Sequence, residues 1–440
     1  MSSPRTSAAP LRRRTAPVAA VAVATTLLAA CAGQTGGAEA EQDLDVPHGT
    51  ITHLTHLEPA RFEAYVQAFE EKYPEVDEVR IERLTDYGTE IKTRMSTEDY
   101  GDVLNVQGVS PDQLPDFFEP LGDYDELSQD YRWLTKTYEG TTYAIPDLGN
   151  AWGFLYNKQV WADAGIEDWP TTTDEFLADL QTIKDSAPDV TPLVTNYKDG
   201  WMLSQWEGYR GLVSLNPDIV YDMSTWDDPW GSGHDDEIVD GLLYDLAAEG
   251  LIEADPTTAT YDETKIKIGS GEIATMPVAS WAITRAGGDI EKAGLDPSVL
   301  GYMPFPIQHD GEFWTTTGPD ISLGINVHSE NKVTARAWLD FLADESTYSA
   351  DMGGLSPRKD GPEPEILADF LADVQIFEPA LPPAGEESRF NEVSTTSGII
   401  TTDGRYRQEL IDAARTGSKT KEQAFAELNE AWAKGVASVG

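Results

Sequence analysis

Residues 50–56 read Thr50-Ile-Thr-His-Leu-Thr-His, an alternation of polar and apolar side chains that predicts a half-buried β-strand. Apolar residues then recur at helical spacing from Phe62 to Phe69, and Pro74 ends the predicted helix. Residues 76–84 alternate again, and after a second helical segment the run Asp102-Val-Leu-Asn-Val predicts a third strand. Strands and helices in this order predict a parallel α/β sheet.

The alternation of strands and helices continues through the rest of the chain. The runs Thr142-Tyr-Ala-Ile-Pro and Gly153-Phe-Leu-Tyr predict strands, as do residues 321–327. The Pro/Gly-rich residues 353–386 predict irregular connections and short helices. Two residue pairs have the spacing of a capping box and predict helix starts: Thr172 with Glu175, and Thr420 with Gln423.

The N-terminal residues have the pattern of an export signal. Four arginines up to position 14 precede the apolar run 18–30, which is too short to remain as a bilayer-spanning helix. The run ends in Leu28-Ala-Ala-Cys, which resembles the bacterial lipobox, where a peptidase cuts before a lipid-carrying cysteine. Cys31 is the only cysteine in the sequence, so it has no partner for an internal disulfide. We predict a lipoprotein signal peptide over 1–30, lipidation of Cys31 and a flexible tether over 31–47.

The chain is strongly acidic, with 31 basic and 77 acidic residues and a net charge of −46. Removal of residues 1–30 would delete four arginines and no acids, which changes the charge from −46 to −50. This balance excludes nucleic acid and anionic membrane surfaces as partners, because like charges repel. It fits either a high-salt habitat or a well-solvated surface. The residues after the tether exceed one ordinary core, which predicts two domains or lobes.

Several ordered motifs resemble those of the extracellular solute-binding proteins of carbohydrate ABC importers, the maltose-binding type. The resemblance covers residues 48–440, and its pieces occur in the order of the family. They are Thr142-Tyr-Ala-Ile-Pro, Phe154-Leu-Tyr-Asn-Lys, Ala164-Gly-Ile, Trp169-Pro-Thr-Thr-Thr-Asp-Glu-Phe, Ser270-Gly-Glu-Ile-Ala-Thr-Met with Ser280-Trp281, and Ser322-Leu-Gly-Ile-Asn-Val-His-Ser.

The resemblance implies an α/β, two-lobed periplasmic-binding-protein-like fold with the ligand in a cleft between lobes that crossover strands join. Lobe 1 would hold residues 48–152 and 310–355, and lobe 2 would hold residues 153–309 and 356–440. The implied function is capture of a mono- or oligosaccharide by hinge closure and delivery to the permease subunits of the importer. We expect a monomer without a cofactor, extracytoplasmic and held to the cell membrane by its N-terminal lipid alone.

The resemblance also implies candidate ligand residues. Trp281 follows the family's Ala-Met segment, where a cleft tryptophan stands, although a tryptophan there can also belong to the core. Trp201 lies where related proteins place an aromatic residue that stacks on the sugar, and for it and its neighbour Trp206 a core role remains open. Asn150 takes the position of a cleft carboxylate of the family, and Trp152 lies beside it on the predicted crossover.

Further candidates follow from chemistry, because sugars need flat aromatic platforms and a few fixed polar partners. Gln107 follows a predicted strand, and the carboxyl ends of strands gather ligands in α/β clefts. His56 and Glu58 end the first strand in the same way. The remaining candidates surround the strand at 321: Trp314 as platform, lid or loop residue, and Thr317 with Gly318, where a small residue lets a ligand approach the backbone.

Two other classes of function remain open from the residues alone. A secreted glycoside hydrolase would need a pair of carboxylates, which cannot be singled out among so many acids. A metal-binding lipoprotein is a weaker alternative, because His53 and His56 are an odd number apart on a strand and face opposite sides. The sequence has no His-Glu-x-x-His, phosphate-loop or Gly-x-Ser-x-Gly motif. We therefore expect a binding protein and no enzyme.

Overall fold

The structure, a computed structural model, describes residues 46–440. The predicted signal peptide, Cys31 and nearly all of the predicted tether lie outside the described residues. The strands, in chain order, are β1 (Gly49–Thr55), β2 (Val76–Arg83), β3 (Val103–Asn105), β4 (Gly122–Asp123), β5 (Thr137–Tyr138), β6 (Thr141–Thr142), β7 (Ala144–Pro146), β8 (Gly149–Asn157), β9 (Thr191–Leu193), β10 (Ile273–Ala279), β11 (Leu300–Met303), β12 (Gln308–His309), β13 (Glu312–Pro319), β14 (Ser322–Ile325) and β15 (Val374–Phe377).

Helices alternate with these strands along most of the chain. Short 3₁₀ segments occur between them, and the longest of these is Trp201–Tyr209. The α-helices are α1 (Glu63–Lys72), α2 (Tyr87–Arg94), α3 (Leu114–Phe117), α4 (Tyr124–Leu127), α5 (Lys158–Asp163), α6 (Thr173–Ser186), α7 (Ile219–Met223), α8 (Asp235–Ala248), α9 (Tyr261–Ser270), α10 (Trp281–Lys292), α11 (Lys332–Asp340), α12 (Tyr348–Asp351), α13 (Ala368–Asp373), α14 (Arg389–Ser397), α15 (Arg405–Thr416) and α16 (Lys421–Val439).

The first sheet has the strand order β2-β1-β3-β14-β7. β1 pairs in parallel with β2 and β3, which confirms the strand–helix–strand prediction, whereas β14 pairs antiparallel with β3 and β7. Alternate side chains of β1 enter different core clusters, Ile51 on one face and Leu54 on the other. The sheet is therefore covered on both faces, as a parallel α/β sheet must be.

The second sheet has the order β12-β13-β8-β10-β9, with β11 also paired to β8 and β15 to β13. Its central strand β8 divides its side chains in the same way, with Phe154 in one core cluster and Leu155 in another. β15 lies within residues 353–386, for which only irregular connections and short helices are predicted. It was not predicted because it has only four residues, and its pairing with β13 is a long-range contact.

Two crossover strands lie side by side between the sheets. The first residues of β8 pair antiparallel with the last residues of β13, with Gly149 opposite Pro319 and Ala151 opposite Thr317. The strand before β8 and the strand after β13 are β7 and β14, which are neighbours in the first sheet. The predicted lobe boundaries remain a proposal, and this strand order is what supports them.

The two predicted capping boxes have different outcomes. At the start of α16 both hydrogen bonds form between Thr420 and Gln423, which confirms the prediction. At the start of α6 Thr172 accepts from the backbone N–H of Glu175, but the carboxylate of Glu175 accepts from the N–H and hydroxyl of Thr171. Both helices begin where predicted. No helix within residues 46–440 combines the length and the apolar character needed to cross a bilayer.

His53 is an ionisable residue inside the first core. Its side chain is 1 % exposed, its ring centroid lies 5.2 Å from that of Phe62, and its Nδ1 accepts from the Nε1 of Trp338 at 3.3 Å. Burial lowers the pKa of His53 from 6.5 to about 3. The folded protein therefore holds this ring neutral where the unfolded chain would protonate it.

His53 should make the free energy of unfolding depend on pH. Between pH 6.5 and about 3 the unfolded state binds a proton that the folded state does not, so stability is lost as the pH falls, by up to about 1.4 kcal/mol per pH unit. His53→Gln keeps an acceptor for Trp338 and removes this titration. Urea unfolding measures the free energy of unfolding of both proteins. The difference between the wild type and His53→Gln should become less favourable to the wild type as the pH falls below 6.5. A difference that stays constant with pH would contradict the prediction.

Candidate ligand cleft

A cavity of about 500 Å³ lies between elements of the two sheets, and we call it the cleft. The first-sheet side contributes residues at the ends of β1 and β3 and at the start of β14, and the other side contributes the starts of α10 and of the 3₁₀ segment. Four residues predicted from the sequence meet here: His56, Gln107, Trp201 and Trp281. The lining consists of these four with Asn105, Val106, Thr135, Lys136, Gln205, Arg285, Pro319, Asp320, Ile321 and Ser322.

Aromatic rings form one wall of the cleft. Trp201 is 43 % exposed, and its ring centroid lies 6.2 Å from that of Trp281. Trp281 is only 8 % exposed, because Tyr261 packs edge-on at 5.3 Å and the guanidinium of Arg285 lies 4.5 Å from its ring centroid. Both tryptophans line the cleft, but Trp201 offers the free aromatic surface while Trp281 supports it. Such a wall can stack against the apolar face of a flat ligand.

Asn150 organises the back of the cleft. Its Nδ2 donates to Asp320 at 3.1 Å, and its Oδ1 accepts from the backbone N–H of Trp281 at 3.0 Å and from the hydroxyl of Ser280 at 3.3 Å. The residue is 2 % exposed. The amide hydrogen bond predicted between Asn150 and a ligand is therefore replaced by bonds within the protein. Asn150 is a positioning residue, which holds the first turn of α10 against Asp320.

The acids of the cleft carry little net charge. Asp147 is buried below it, and burial together with the neighbouring Asp320 raises the pKa of Asp147 well above its usual range. Asp320 itself lies beside a cation, with 3.7 Å between its Oδ2 and the Nη2 of Arg285. One carboxylate and one guanidinium thus stand at the cleft as a partly exposed pair.

His56 adds a neutral polar group to the cleft. Burial, and next the charge of Arg285, lower the pKa of His56, which keeps the ring uncharged at neutral pH. Its Nδ1 lies 3.1 Å from Nδ2 of Asn105, so the amide can donate to it. With Gln107 and Gln205, these side chains offer donors and acceptors of the kind that bind hydroxyl groups.

A second cavity of about 410 Å³ adjoins the cleft. The two share Thr135, Lys136 and Pro319 in their linings. Thr317 and Gly318, which are predicted ligand residues, line this second cavity and not the cleft. Trp133 also lines it and donates from Nε1 to the hydroxyl of Thr317 at 3.1 Å.

The structure places the other predicted residues away from both cavities. Trp206 is 0 % exposed and packs with Phe154 and Tyr209 in the second-sheet core, which corrects its assignment as a ligand residue. A 3₁₀ segment turns three residues per revolution, so Trp201 and Trp206, five apart, point in different directions.

Three further candidate residues make packing contacts or an ion pair within the protein. The half-buried indole of Trp152 fills the space that side chains at Gly208 and Gly318 would need. Trp314 is partly buried against the second-sheet core. Glu58 is exposed and pairs with Arg83 at 2.5 Å. None of the three is in the lining of either cavity.

The prediction missed Lys136, Arg285, Asp320 and Trp133 as residues of this region. Each lies in a loop or helix whose local pattern gives no sign of the cleft, and only the folded chain places them at the two cavities. Within residues 46–440, no three His, Cys, Asp or Glu side chains are grouped so as to hold a metal ion.

At Gly149 the crossover strand β8 packs so closely against Trp133 that a side chain would clash with the indole. A β-carbon there would lie 2.1 Å from Cη2 of Trp133. Gly149→Ala should therefore reduce the free energy of unfolding by about 1–3 kcal/mol, because the indole or β8 must shift. The matched control is Gly88→Ala in α2, where no atom lies within 4 Å of the added carbon and stability should rise by about 0.5–1 kcal/mol. Urea denaturation measures both, and equal stability of the two variants would refute the close-contact argument.

Comparisons with known proteins agree with this architecture. A manno-oligosaccharide-specific solute-binding protein of Bifidobacterium animalis subsp. lactis, solved with mannotriose, superimposes with a TM-score of 0.81 at 28 % identity, covering 90 % of this chain and 96 % of that one. A multiple sugar-binding protein of Streptococcus mutans is 23 % identical over 339 residues, 73 % of this chain and 76 % of that protein. The family model for bacterial extracellular solute-binding proteins matches residues 55–348. The chain belongs to that family of two-lobed binding proteins.

Proposed function

We propose that this protein captures a saccharide in the cleft and delivers it to the permease of an ABC importer. The observation that carries the proposal is the composition of the cleft, where the exposed ring of Trp201 faces uncharged polar groups such as His56 and Gln107. Pyranose rings present apolar C–H faces and a rim of hydroxyls, and they need both kinds of partner. The manno-oligosaccharide- and multiple-sugar-binding relatives support the same class of ligand.

The crossovers suit a protein that closes around its ligand. Two adjacent strands, β8 and β13, connect the elements on either side of the cleft, and a small rotation about them would change the width of the opening. Closure would let the permease distinguish loaded from empty protein. The ligand drives closure only by binding the closed form more tightly than the open form.

Saccharide binding should stabilise the protein and depend on Trp201. A thermal-shift screen of mannose, mannobiose, mannotriose, chitobiose and raffinose should find a ligand that, at one hundred times its Kd, stabilises the fold by about 2.7 kcal/mol. Trp201→Ala should weaken binding of that ligand by about 2 kcal/mol, which is about thirtyfold. Because Trp201 is 43 % exposed, the melting temperature of the empty variant should change little.

Trp206→Ala is the matched control, since it removes the same side chain from the same 3₁₀ segment. This change should cost about 3–5 kcal/mol of folding stability through a cavity in the core. The binding proposal fails if no saccharide stabilises the wild type, or if Trp201→Ala binds the ligand as the wild type does. Chromatography of sugars incubated with the protein tests the alternative function of a glycoside hydrolase. Release of shorter sugars would indicate hydrolysis.

We also propose that the protein works outside the cytoplasm as a monomer anchored through Cys31. Membership of an extracellular family supports the compartment. The basic and apolar N-terminal residues ending in Leu28-Ala-Ala-Cys support the lipid anchor. An anchored receptor stays close to its permease, so captured ligand need not diffuse far.

Cys31→Ser should release the protein from the cell membrane. Stable anchoring needs two or more acyl chains, at about 0.8 kcal/mol for each buried methylene, and serine cannot carry the thioether-linked diacylglycerol. Fractionation of cells should move the variant into the soluble fraction, and mass spectrometry of the wild-type N-terminus should show the lipid. Membrane retention of Cys31→Ser, with no lipid on the wild type, would disprove the anchor.

A further inference from the structure

Lys136 lies where the cleft and the second cavity meet. It is one of three residues that line both cavities, with its neighbour Thr135 and with Pro319 at the end of the crossover strand β13. Its backbone is fixed, because its carbonyl accepts from the N–H of Tyr143 at 2.8 Å. The long side chain is partly buried. A ligand that extends from one cavity to the other would pass these three shared residues.

The ammonium of Lys136 has no hydrogen-bond acceptor and no ion pair within residues 46–440. The other cations that line the two cavities are all bonded. Arg285 pairs with Asp320, Arg132 lies 3.4 Å from Glu378, and Lys359 donates to the carbonyl of Ser128.

Partial burial makes the unpaired charge of Lys136 unfavourable. Burial lowers the pKa of Lys136, and no carboxylate opposes that shift, although the chain holds 77 acids. A partly desolvated ammonium without an acceptor among the described residues can therefore donate to acceptors that a ligand brings.

The second cavity has the surfaces that a sugar unit requires. Aromatic side chains are present at Tyr124, Trp133 and Phe390, and polar groups at Glu387 and Asn391. The rings supply apolar faces for stacking, and the polar groups can orient hydroxyls. The second cavity therefore combines aromatic and polar side chains, as the cleft does.

Contacts between the two sides of the molecule bound the second cavity. Arg132 pairs with Glu378, and the backbone N–H of Glu139 donates to Glu387 at 3.0 Å. Both glutamates follow β15, which belongs to the second sheet. The cavity is therefore a bounded extension of the cleft and can hold a limited length of ligand.

We propose that the ligand is an oligosaccharide that extends from the cleft into the second cavity, with Lys136 donating hydrogen bonds to the unit at the junction. This inference rests on the proposed saccharide-binding function and adds to it a ligand residue, a second subsite and a ligand of more than one unit. Trp133 supplies the aromatic surface of that subsite. A monosaccharide would fill the cleft alone and leave the second cavity unused.

The test is isothermal titration of the full folded protein with mannose, mannobiose and mannotriose, and in parallel with N-acetylglucosamine, chitobiose and chitotriose. In one of the two series the wild type should bind the longer sugars more tightly than the monosaccharide. Lys136→Met should weaken binding of the trisaccharide by about tenfold to a hundredfold, the range for loss of a charged hydrogen bond. It should change monosaccharide affinity much less. Lys136→Gln, which keeps N–H donors, should restore part of the loss.

Lys158→Met is the control, because Lys158 is exposed at the start of α5 and takes part in neither cavity. It should bind every sugar as the wild type does. Lys136→Met should melt at or above the wild-type temperature, since the change removes an unpaired, desolvated charge.

The outcomes separate the two proposals. Wild-type affinity of Lys136→Met for the trisaccharide, or equal wild-type affinity for one and three units, would overturn this inference while saccharide binding stands. Absence of binding to all six sugars, together with a negative thermal-shift screen, would overturn the proposed function and this inference with it.

Discussion

The side-chain amide of Asn150 is the contact on which the geometry of the cleft depends. Asn150 stands opposite Gly318 where the two crossover strands pair, and its two polar atoms hold the first turn of α10 at Trp281 and the carboxylate of Asp320. An aspartate here could not donate to Asp320, and an apolar residue would leave both partners unsatisfied. The amide of Asn150 thus fixes the positions of Trp281 and Asp320 relative to the two crossover strands.

The charges near the cleft explain how so acidic a chain can bind a neutral ligand. Burial raises the pKa of Asp147, and burial with Arg285 lowers the pKa of His56, so both side chains favour their uncharged forms. Asp320 is offset by Arg285. The net charge of −46 therefore resides elsewhere, and apart from the ammonium of Lys136 the cleft presents mainly neutral donors and acceptors. Hydroxyl groups bind to such a surface without a large desolvation cost.

The sequence predicted what depends on local pattern and missed what depends on distant pairing. Strand and helix periodicity located β1 and α1, a capping pair located the start of α16, and the resemblance to the family singled out Trp201 and Trp281 as candidates. Periodicity could not separate Trp201 from Trp206, because the 3₁₀ turn between them decides which ring is exposed. Lys136 carries no motif, and only the fold shows that it lines two adjoining cavities.

Two of the contacts that join the two sides of the molecule are weak. Arg132 with Glu378 and the N–H of Glu139 with Glu387 are partly or fully exposed, and exposed ion pairs contribute about 0–1 kcal/mol each. These two contacts therefore oppose opening only slightly. A ligand that touches Trp201 on one side and the first-sheet residues His56 and Gln107 on the other makes all its contacts only when the cleft is narrow. That difference in affinity is what shifts the population toward closure.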